Sequence, residues 1–408
     1  MHKMNVIELF AGAGGLAQGL TRTGYYEPVA LYDIFEAARQ SYIEYSPQAT
    51  YRIADVRHLE RKDILDDLNG RTLHGIIGGP PCQGFSLAGK RLTQAEINEL
   101  VLAYARVVKQ MEPHFLVMEN VPQLLYHPLF KPLLEQLNSR YCVSYAILNA
   151  ARYGAPQTRH RLFLIAYHRE FGISPTFPAP THGQLGQRLY AYHLIKTEDR
   201  VEFNYETAEA ILGGDPVISR EIAQQVAMVS NHIDKTLKPF VTVGDAISDV
   251  SNVAEEHGCL THYSSEAMSE YQTSLRNNDG HVANCIARKH VGKPLEIALS
   301  LREGGTPQSE GTSRNKRYYS QAYGRLHRQA LARTLTTYFQ NAGSGRFLHY
   351  EKPRTLTIRE AARLQGFPDS FVFFGNLQEQ MQLVGNAVPL PLAEAVGRHV
   401  ATELEQCL

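Results

Sequence analysis

Short apolar runs punctuate the first 170 residues: Val6–Phe10, Val29–Tyr32, Gly75–Ile77, Phe115–Met118, Tyr145–Leu148 and Leu162–Tyr167. Amphipathic stretches separate them. That alternation predicts an α/β fold, a doubly wound Rossmann-like domain on a mostly parallel sheet. One helix can be placed closely. Thr93 and Glu96 have capping-box spacing. Ile97, Leu100, Tyr104, Val107, Val108 and Met111 then recur at helical intervals, and Pro113 ends the run. From about Phe177 the texture changes to a Pro-rich exit, then Gly-rich loops at 213–215 and 303–305 without βα alternation. A second domain is expected there. After Phe374 order returns, with Pro391 opening a helix that carries Leu392, Val396, Val400 and Leu404 on one face.

Composition narrows the class. The chain has 408 residues, of which 43% are apolar and 20% charged, which suits a folded enzyme and not a disordered segment. No apolar run approaches the roughly 18 residues of a spanning helix, and the first residues lack a signal-peptide pattern. Five cysteines without a CxxC pair argue against a disulfide framework or a metal site and for a reducing cytosol.

Lys and Arg number 41, as do Asp and Glu, and neutrality argues against nucleic acid. Mapping the charge reverses that reading. Residues 271–366 carry 16 cations against 6 anions, whereas residues 181–270 carry 6 against 14. The basic segment interleaves aromatic and polar groups with its cations in RNKRYYSQAYGRLHR, Arg314 to Arg328. It is either a solvated face or a surface that follows phosphates.

Two loops carry candidate chemistry. Gly12, Gly14 and Ala17 follow a strand and fit G-x-G-x-x-[GA], and Asp33 stands at the end of the next strand. Glycines let backbone approach a ligand, and a carboxylate accepts from vicinal ribose hydroxyls. The pattern suits any adenosine-bearing cofactor, so a nicotinamide oxidoreductase stays open at this point, as does a plain tight turn. The second loop is Gly78-Gly79-Pro80-Pro81-Cys82-Gln83-Gly84-Phe85-Ser86. Its prolines stiffen the approach to Cys82 and its glycines leave room for a substrate. Cys82 sits at the carboxyl end of a strand, where such sheets place their chemistry. Cys142, Cys259, Cys285 and Cys407 have no such setting.

FAGAGG (Phe10–Gly15), GGPPCQGFS (Gly78–Ser86), MENV (Met118–Val121), QTRHR (Gln157–Arg161), RTLTIREAARLQGFPDSF (Arg354–Phe371) and GNAVP (Gly385–Pro389) stand in one order along the chain. Together they resemble the motif set of the DNA cytosine-5 methyltransferases, in the form found in bacterial restriction-modification systems. The resemblance implies that Cys82 is the nucleophile that adds to carbon 6 of cytosine and makes carbon 5 enamine-like. It implies that Glu119 stabilises charge near nitrogen 3, that Arg161 contacts oxygen 2, and that Arg159 supports the site. It implies S-adenosylmethionine as cofactor. Phe10, Ala11, Gly12, Gly14 and Gly15 would line its pocket, Asp33 would hold the ribose and Ile34 would lie beside the adenine. Asp55 and Val56 would meet the adenine amino group, and Pro80, Leu100 and Asn386 would complete the pocket.

The partner so implied is double-stranded DNA with its target base flipped out. Gln83, Ser86, Lys90 and Arg91 would meet the DNA from the loop after Cys82. Here the sequence departs from the family, since Ala95-Glu96-Ile97 stands where an Asp/Arg pair often precedes Asn-x-Leu. The resemblance divides the chain into residues 1–180 with 376–408, the catalytic and cofactor-binding domain, and 181–375, a small target-recognition domain. Reading loops are sought within roughly 181–353, at Arg276–Asn278, Arg302–Thr306 and Arg314–Tyr319, with Arg314 and Arg317 as DNA contacts. The acidic stretch 181–270 is expected to face away from DNA. A cytoplasmic monomer paired with a restriction endonuclease, away from membranes, is the full expectation. A tRNA-methylating relative is the second reading and usually has a shorter insert. A catalytically inactive DNA-binding regulator is the third, disfavoured by Cys82, Glu119 and Arg161.

Overall fold

The structure is a computed structural model, and it describes residues 3–81, 94–184, 237–252, 259–307 and 321–405. Its centre is a sheet of seven strands in the order β3-β2-β1-β4-β5-β8-β6. These are β1 (Met4–Leu9), β2 (Tyr26–Asp33), β3 (Thr50–Ile53), β4 (Gly75–Gly78), β5 (Phe115–Asn120), β6 (Tyr141–Asn149) and β8 (His160–His168), with the short β7 (Gln157–Thr158) outside the sheet. The first five run parallel, and β8 is antiparallel to both β5 and β6. Five of the six apolar runs of the sequence lie inside strands, and the sixth, Val6–Phe10, overruns β1 by one residue, Phe10, which begins the loop. The seventh strand, β3, carries one buried side chain, Tyr51, and has no apolar run to show, as befits an edge.

Alternation along each strand feeds two apolar layers. Val6, Leu31, Ile77 and Val117 point to one face with α1 (Gly15–Arg22), α2 (Glu36–Tyr45) and the C-terminal helix Leu390–Leu404. Ile7, Tyr32, Ile76 and Leu116 point to the other, with α3 (Arg61–Leu68), α4 (Gln94–Met111) and α5 (Phe130–Asn138). The helix placed from Ile97–Met111 is α4, and the Tyr104 hydroxyl ties it to the carbonyls of Ile76 and Val117. Thr93 of its expected capping box lies outside the described residues. The C-terminal helix crosses α1 so closely that a Cβ on Gly19 would stand 2.9 Å from Glu394 N and Leu390 O. The end of the chain therefore closes the layer its beginning opens.

The described part of residues 237–353 has short helices, Val243–Ile247, Glu270–Leu275 and Lys293–Ser300, and two-residue strands. It joins the helix Ile358–Leu364 through buried charges. Arg363 pairs with Asp249 at 2.7 Å and Asp369 at 2.6 Å, and Arg354 holds both oxygens of Glu360. Here one expectation is corrected. Arg276 is not free to read a base: it pairs with Asp249 at 3.1 Å and stacks over the Tyr263 ring at 3.9 Å.

Candidate active site

The strand order reverses direction between β1 and β4, and the carboxyl ends of the strands at such a switch point are the usual place for a ligand in such a sheet. The loop after β1 is bent by backbone in the left-handed region at Phe10 (φ 57°), Gly12 (φ 52°) and Gly14 (φ 70°). For Phe10 that is an uncommon conformation. Gly15 abuts the chain's end: a Cβ there would lie 2.7 Å from Val388 O. Gly12 is different, because a Cβ there would meet open space.

Asp33 is built into this loop. Its Oδ2 accepts from Gly12 N–H at 2.8 Å and its Oδ1 from Phe35 N–H at 3.1 Å. The Tyr51 hydroxyl donates to Gly12 O at 2.8 Å. Sequence reasoning missed Tyr51, whose only mark was its place on a strand too short to see. Burial pushes the Asp33 carboxyl up, against the pull of the Gly12 amide. Ile34 is 58% exposed and Ile53, beside Asp33 in the β2–β3 register, is 46% exposed, so an apolar shelf borders the carboxylate.

The other pocket candidates are unevenly placed. Pro80 and Ala11 are buried, Leu100 half-buried, and Asn386 exposed at the end of the helix Leu377–Asn386. Asp55 is held by Arg57 at 2.6 Å, which lowers its pKa despite partial burial. Val56 turns into the apolar layer under the sheet, where its carbonyl accepts from Arg106. Its place is beneath the loop, supporting Asp55.

Cys82 and the loop residues Gln83, Ser86, Lys90 and Arg91 lie outside the described residues, as do Arg314 and Arg317. The approach to Cys82 is described. Asn120, at the end of β5, donates to Pro80 O at 2.8 Å and so fixes the turn that leads into it. Gly79 faces Glu119 so closely that a Cβ would sit 3.0 Å from its Oε2. The carboxyl group thus lies beside the backbone three residues before Cys82.

Glu119, Arg159 and Arg161 come together. Glu119 Oε1 and Arg161 Nε are 2.8 Å apart, and both side chains are nearly buried. The contact is an ion pair without hydrogen-bond alignment, and Oε1 keeps unfilled bonding capacity. Burial pushes the Glu119 carboxyl up, opposed by Arg161 and Arg159. Burial likewise lowers both guanidinium groups. Arg159 is 1% exposed and donates to Leu335 O and Gly385 O, each at 2.9 Å. It joins three parts of the chain: the strand of Arg161, the segment after the strand Ala332–Arg333, and the last turn of the helix Leu377–Asn386. Gln157 reinforces the junction through Leu364 O and Gln365. Among the described residues no cluster of His, Cys, Asp and Glu could hold a metal ion.

A carboxyl group with raised pKa beside a guanidinium can hold a proton or stabilise developing charge on a flat heterocycle. The Gly12 hollow, the Asp33 carboxylate and the Ile34–Ile53 shelf fit an adenosine group. Comparison with known proteins shows the family. The family described as C-5 cytosine-specific DNA methylase matches residues 4–402. The type II methyltransferase M1.HphI of Haemophilus parahaemolyticus is 31% identical over 97% of this chain and 86% of its own length. M.DdeI of Desulfomicrobium norvegicum, also named a type II methyltransferase, is 29% identical over 98% and 89%. A putative DNA modification methyltransferase encoded within an E. coli prophage shares the fold, with TM-score 0.69 at 22% identity over 99% of this chain and all of that one.

Proposed function

This chain belongs to the C-5 cytosine-specific DNA methylase family, and from that premise we propose that it methylates carbon 5 of a cytosine flipped out of a specific double-stranded DNA sequence. The observation that carries the reading is the buried Glu119–Arg161 pair beside Gly79, on the backbone that leads to Cys82. S-adenosylmethionine, held by Asp33, the Gly12 turn, Ile34, Asp55 and the Pro80, Leu100 and Asn386 contacts, would supply an electrophilic methyl group.

The protein's own residues do the rest. Cys82 adds as thiolate to carbon 6 of the cytosine, and the ring's electrons move toward carbon 5. Glu119, kept partly protonated by burial, donates at nitrogen 3, and Arg161 faces oxygen 2 as charge develops there. Arg159 acts one step back, fixing Arg161's strand against Leu335 and Gly385. Carbon 5 takes the methyl group and then gives its proton to a water molecule acting as base, while nitrogen 3 returns its proton to Glu119. The carbon–sulfur bond breaks, Cys82 leaves as thiolate, and aromaticity returns.

The type II names of the relatives support a role in protecting host DNA alongside a restriction endonuclease. No helix of the described chain is long and apolar enough to cross a membrane, which accords with work on DNA in the bacterial cytosol. The division into a catalytic part (1–180 with 376–408) and a target-recognition part (181–375) is part of the same reading. The test is transfer of labelled methyl from S-adenosylmethionine to duplex DNA, with tRNA as the parallel substrate. Label in duplex DNA at 5-methylcytosine is expected. Label confined to tRNA, or none in either, contradicts the reading.

A further inference from the structure

The basic segment 271–366 is less of a surface than its charge suggests, because folding consumes most of its described arginines. Arg276 and Arg363 share Asp249, Arg354 is held by Glu360, and Arg328 by Glu303. Arg325 is 4% exposed and spends its donors on the carbonyls of Leu301, His349 and Lys352. Arg276, Arg325, Arg354 and Arg363 are internal struts, whereas Arg328 stays at the surface with its charge matched by Glu303.

One group stands apart. Arg288, Lys289 and Lys293 lie within six residues, all exposed, and among the described residues none makes an ion pair or a side-chain hydrogen bond. Between them Val291 is 77% exposed. Glu296 is the sole acid from His281 to Arg302 and pairs with none of them. The loop is fixed at both ends. Gln340 donates to Ile286 O at 2.9 Å, and His290 Nε2 meets the Thr355 hydroxyl at 3.1 Å. At Gly292 the backbone takes φ 58°, a turn that favours glycine, and the helix Lys293–Ser300 begins.

Its anchor ties the loop to the candidate active site. Gln340 lies five residues beyond Leu335, whose carbonyl Arg159 holds, and five residues of chain span at most about 18 Å. One turn of duplex extends about 34 Å. A duplex whose cytosine occupies the site therefore comes within reach of the loop.

We infer that the loop Arg288–Lys293 is a DNA-backbone contact of the small domain, in which Arg288, Lys289 and Lys293 neutralise phosphates around the exposed Val291. The inference rests on the DNA reading above and adds a surface outside the 314–328 stretch. Three exposed cations on a fixed loop complement a polyanion, and among the described residues no carboxylate is paired with them; Glu296, one turn beyond Lys293, makes no ion pair with it. Phosphate contacts position a protein on DNA without reading sequence, so the recognised site need not be known to test it.

The test is binding of the full chain to a labelled duplex over a salt series, with Arg288→Gln, Lys289→Gln and Lys293→Gln combined. Each phosphate contact contributes about 0.9 to the slope of log affinity against log salt, so three removed contacts should flatten it by about 2.7. Between about 50 and 200 mM salt the parent's advantage over the variant should shrink roughly 40-fold. The charge-keeping variant Arg288→Lys, Lys289→Arg, Lys293→Arg should retain the parent's slope. Parallel salt lines for parent and neutral variant overturn the inference, as does an equal loss in the charge-keeping variant. A parent that binds no duplex overturns the DNA reading itself, which separates the two failures.

Discussion

Replacing Arg161 by alanine should destabilise the protein and disable it for two separable reasons. Glu119 and Arg161 are 2.8 Å apart, with side chains 10% and 13% exposed. Without the guanidinium, Glu119 keeps Arg159 as the nearby positive charge among the described residues, and burial raises its pKa further. Breaking a buried pair by removing one partner costs about 3–5 kcal/mol, and the remaining Arg159 places this case near the lower end, at about 3 kcal/mol. The cost must depend on pH. A carboxyl whose folded pKa exceeds its unfolded value of about 4.3 binds more protons in the folded state. Stability therefore falls as pH rises from there through the raised folded pKa. Urea denaturation of Arg161→Ala and parent across that range should show a small gap at acid pH and the full gap at pH 8. Adding Glu119→Gln to Arg161→Ala should recover most of the lost stability, because a neutral amide needs no countercharge. Methyl transfer should stay down by about 100-fold or more, the loss typical of removing one oxyanion donor. A pH-independent gap, or no recovery in the double variant, would refute the coupling between Glu119 and Arg161.

Other substitutions probe other parts. Cys82→Ala should abolish methyl transfer while duplex binding in a filter or anisotropy assay persists; residual turnover above a few per cent would remove Cys82 from the nucleophile's role. Asp33→Ala should weaken S-adenosylmethionine binding by about 10- to 100-fold in calorimetry, the worth of hydrogen bonds to a charged acceptor at about 1.5–3 kcal/mol. Unchanged affinity would detach Asp33 from the cofactor. Arg363→Met leaves the buried Asp249 to Arg276 and the buried Asp369 to Arg359 at 3.7 Å, and the denaturation midpoint should fall by the equivalent of about 3 kcal/mol, the low end for a broken buried pair. A midpoint within experimental error of the parent's would contradict a structural role for that pair.

The sheet and its motifs were legible because they rest on local pattern. Val6–Phe10 and Phe115–Met118 are apolar on alternate sides and feed two covered faces, so they read as buried strands. The helix over Gln94–Met111 showed its period. Thr50–Ile53 did not, because one buried tyrosine on an edge makes no pattern. Glu119, Arg159 and Arg161 were found through their motifs, yet what joins them was not. The Arg159 bonds to Leu335 O and Gly385 O cross more than 170 residues of chain, and no spacing rule reaches that far. Charge was legible as a sum and misleading as a surface. Arg276 and Arg288 look alike in sequence, but Asp249 and Tyr263 enclose the first, and the second is exposed with no ion pair among the described residues. Val56 shows the same limit, since its neighbour Asp55 faces outward while it packs inward.

The central claim, that Cys82 attacks a cytosine held in duplex DNA, meets its most direct test in a covalent trap. A duplex carrying 5-fluorocytosine is incubated with the protein and S-adenosylmethionine, and the fluorine at carbon 5 blocks the final elimination. A denaturation-stable protein–DNA complex is expected, with mass spectrometry placing the modified nucleotide on the peptide that contains Cys82. Failure of every cytosine-bearing duplex to form the complex, or a crosslink that maps to another residue, would contradict it.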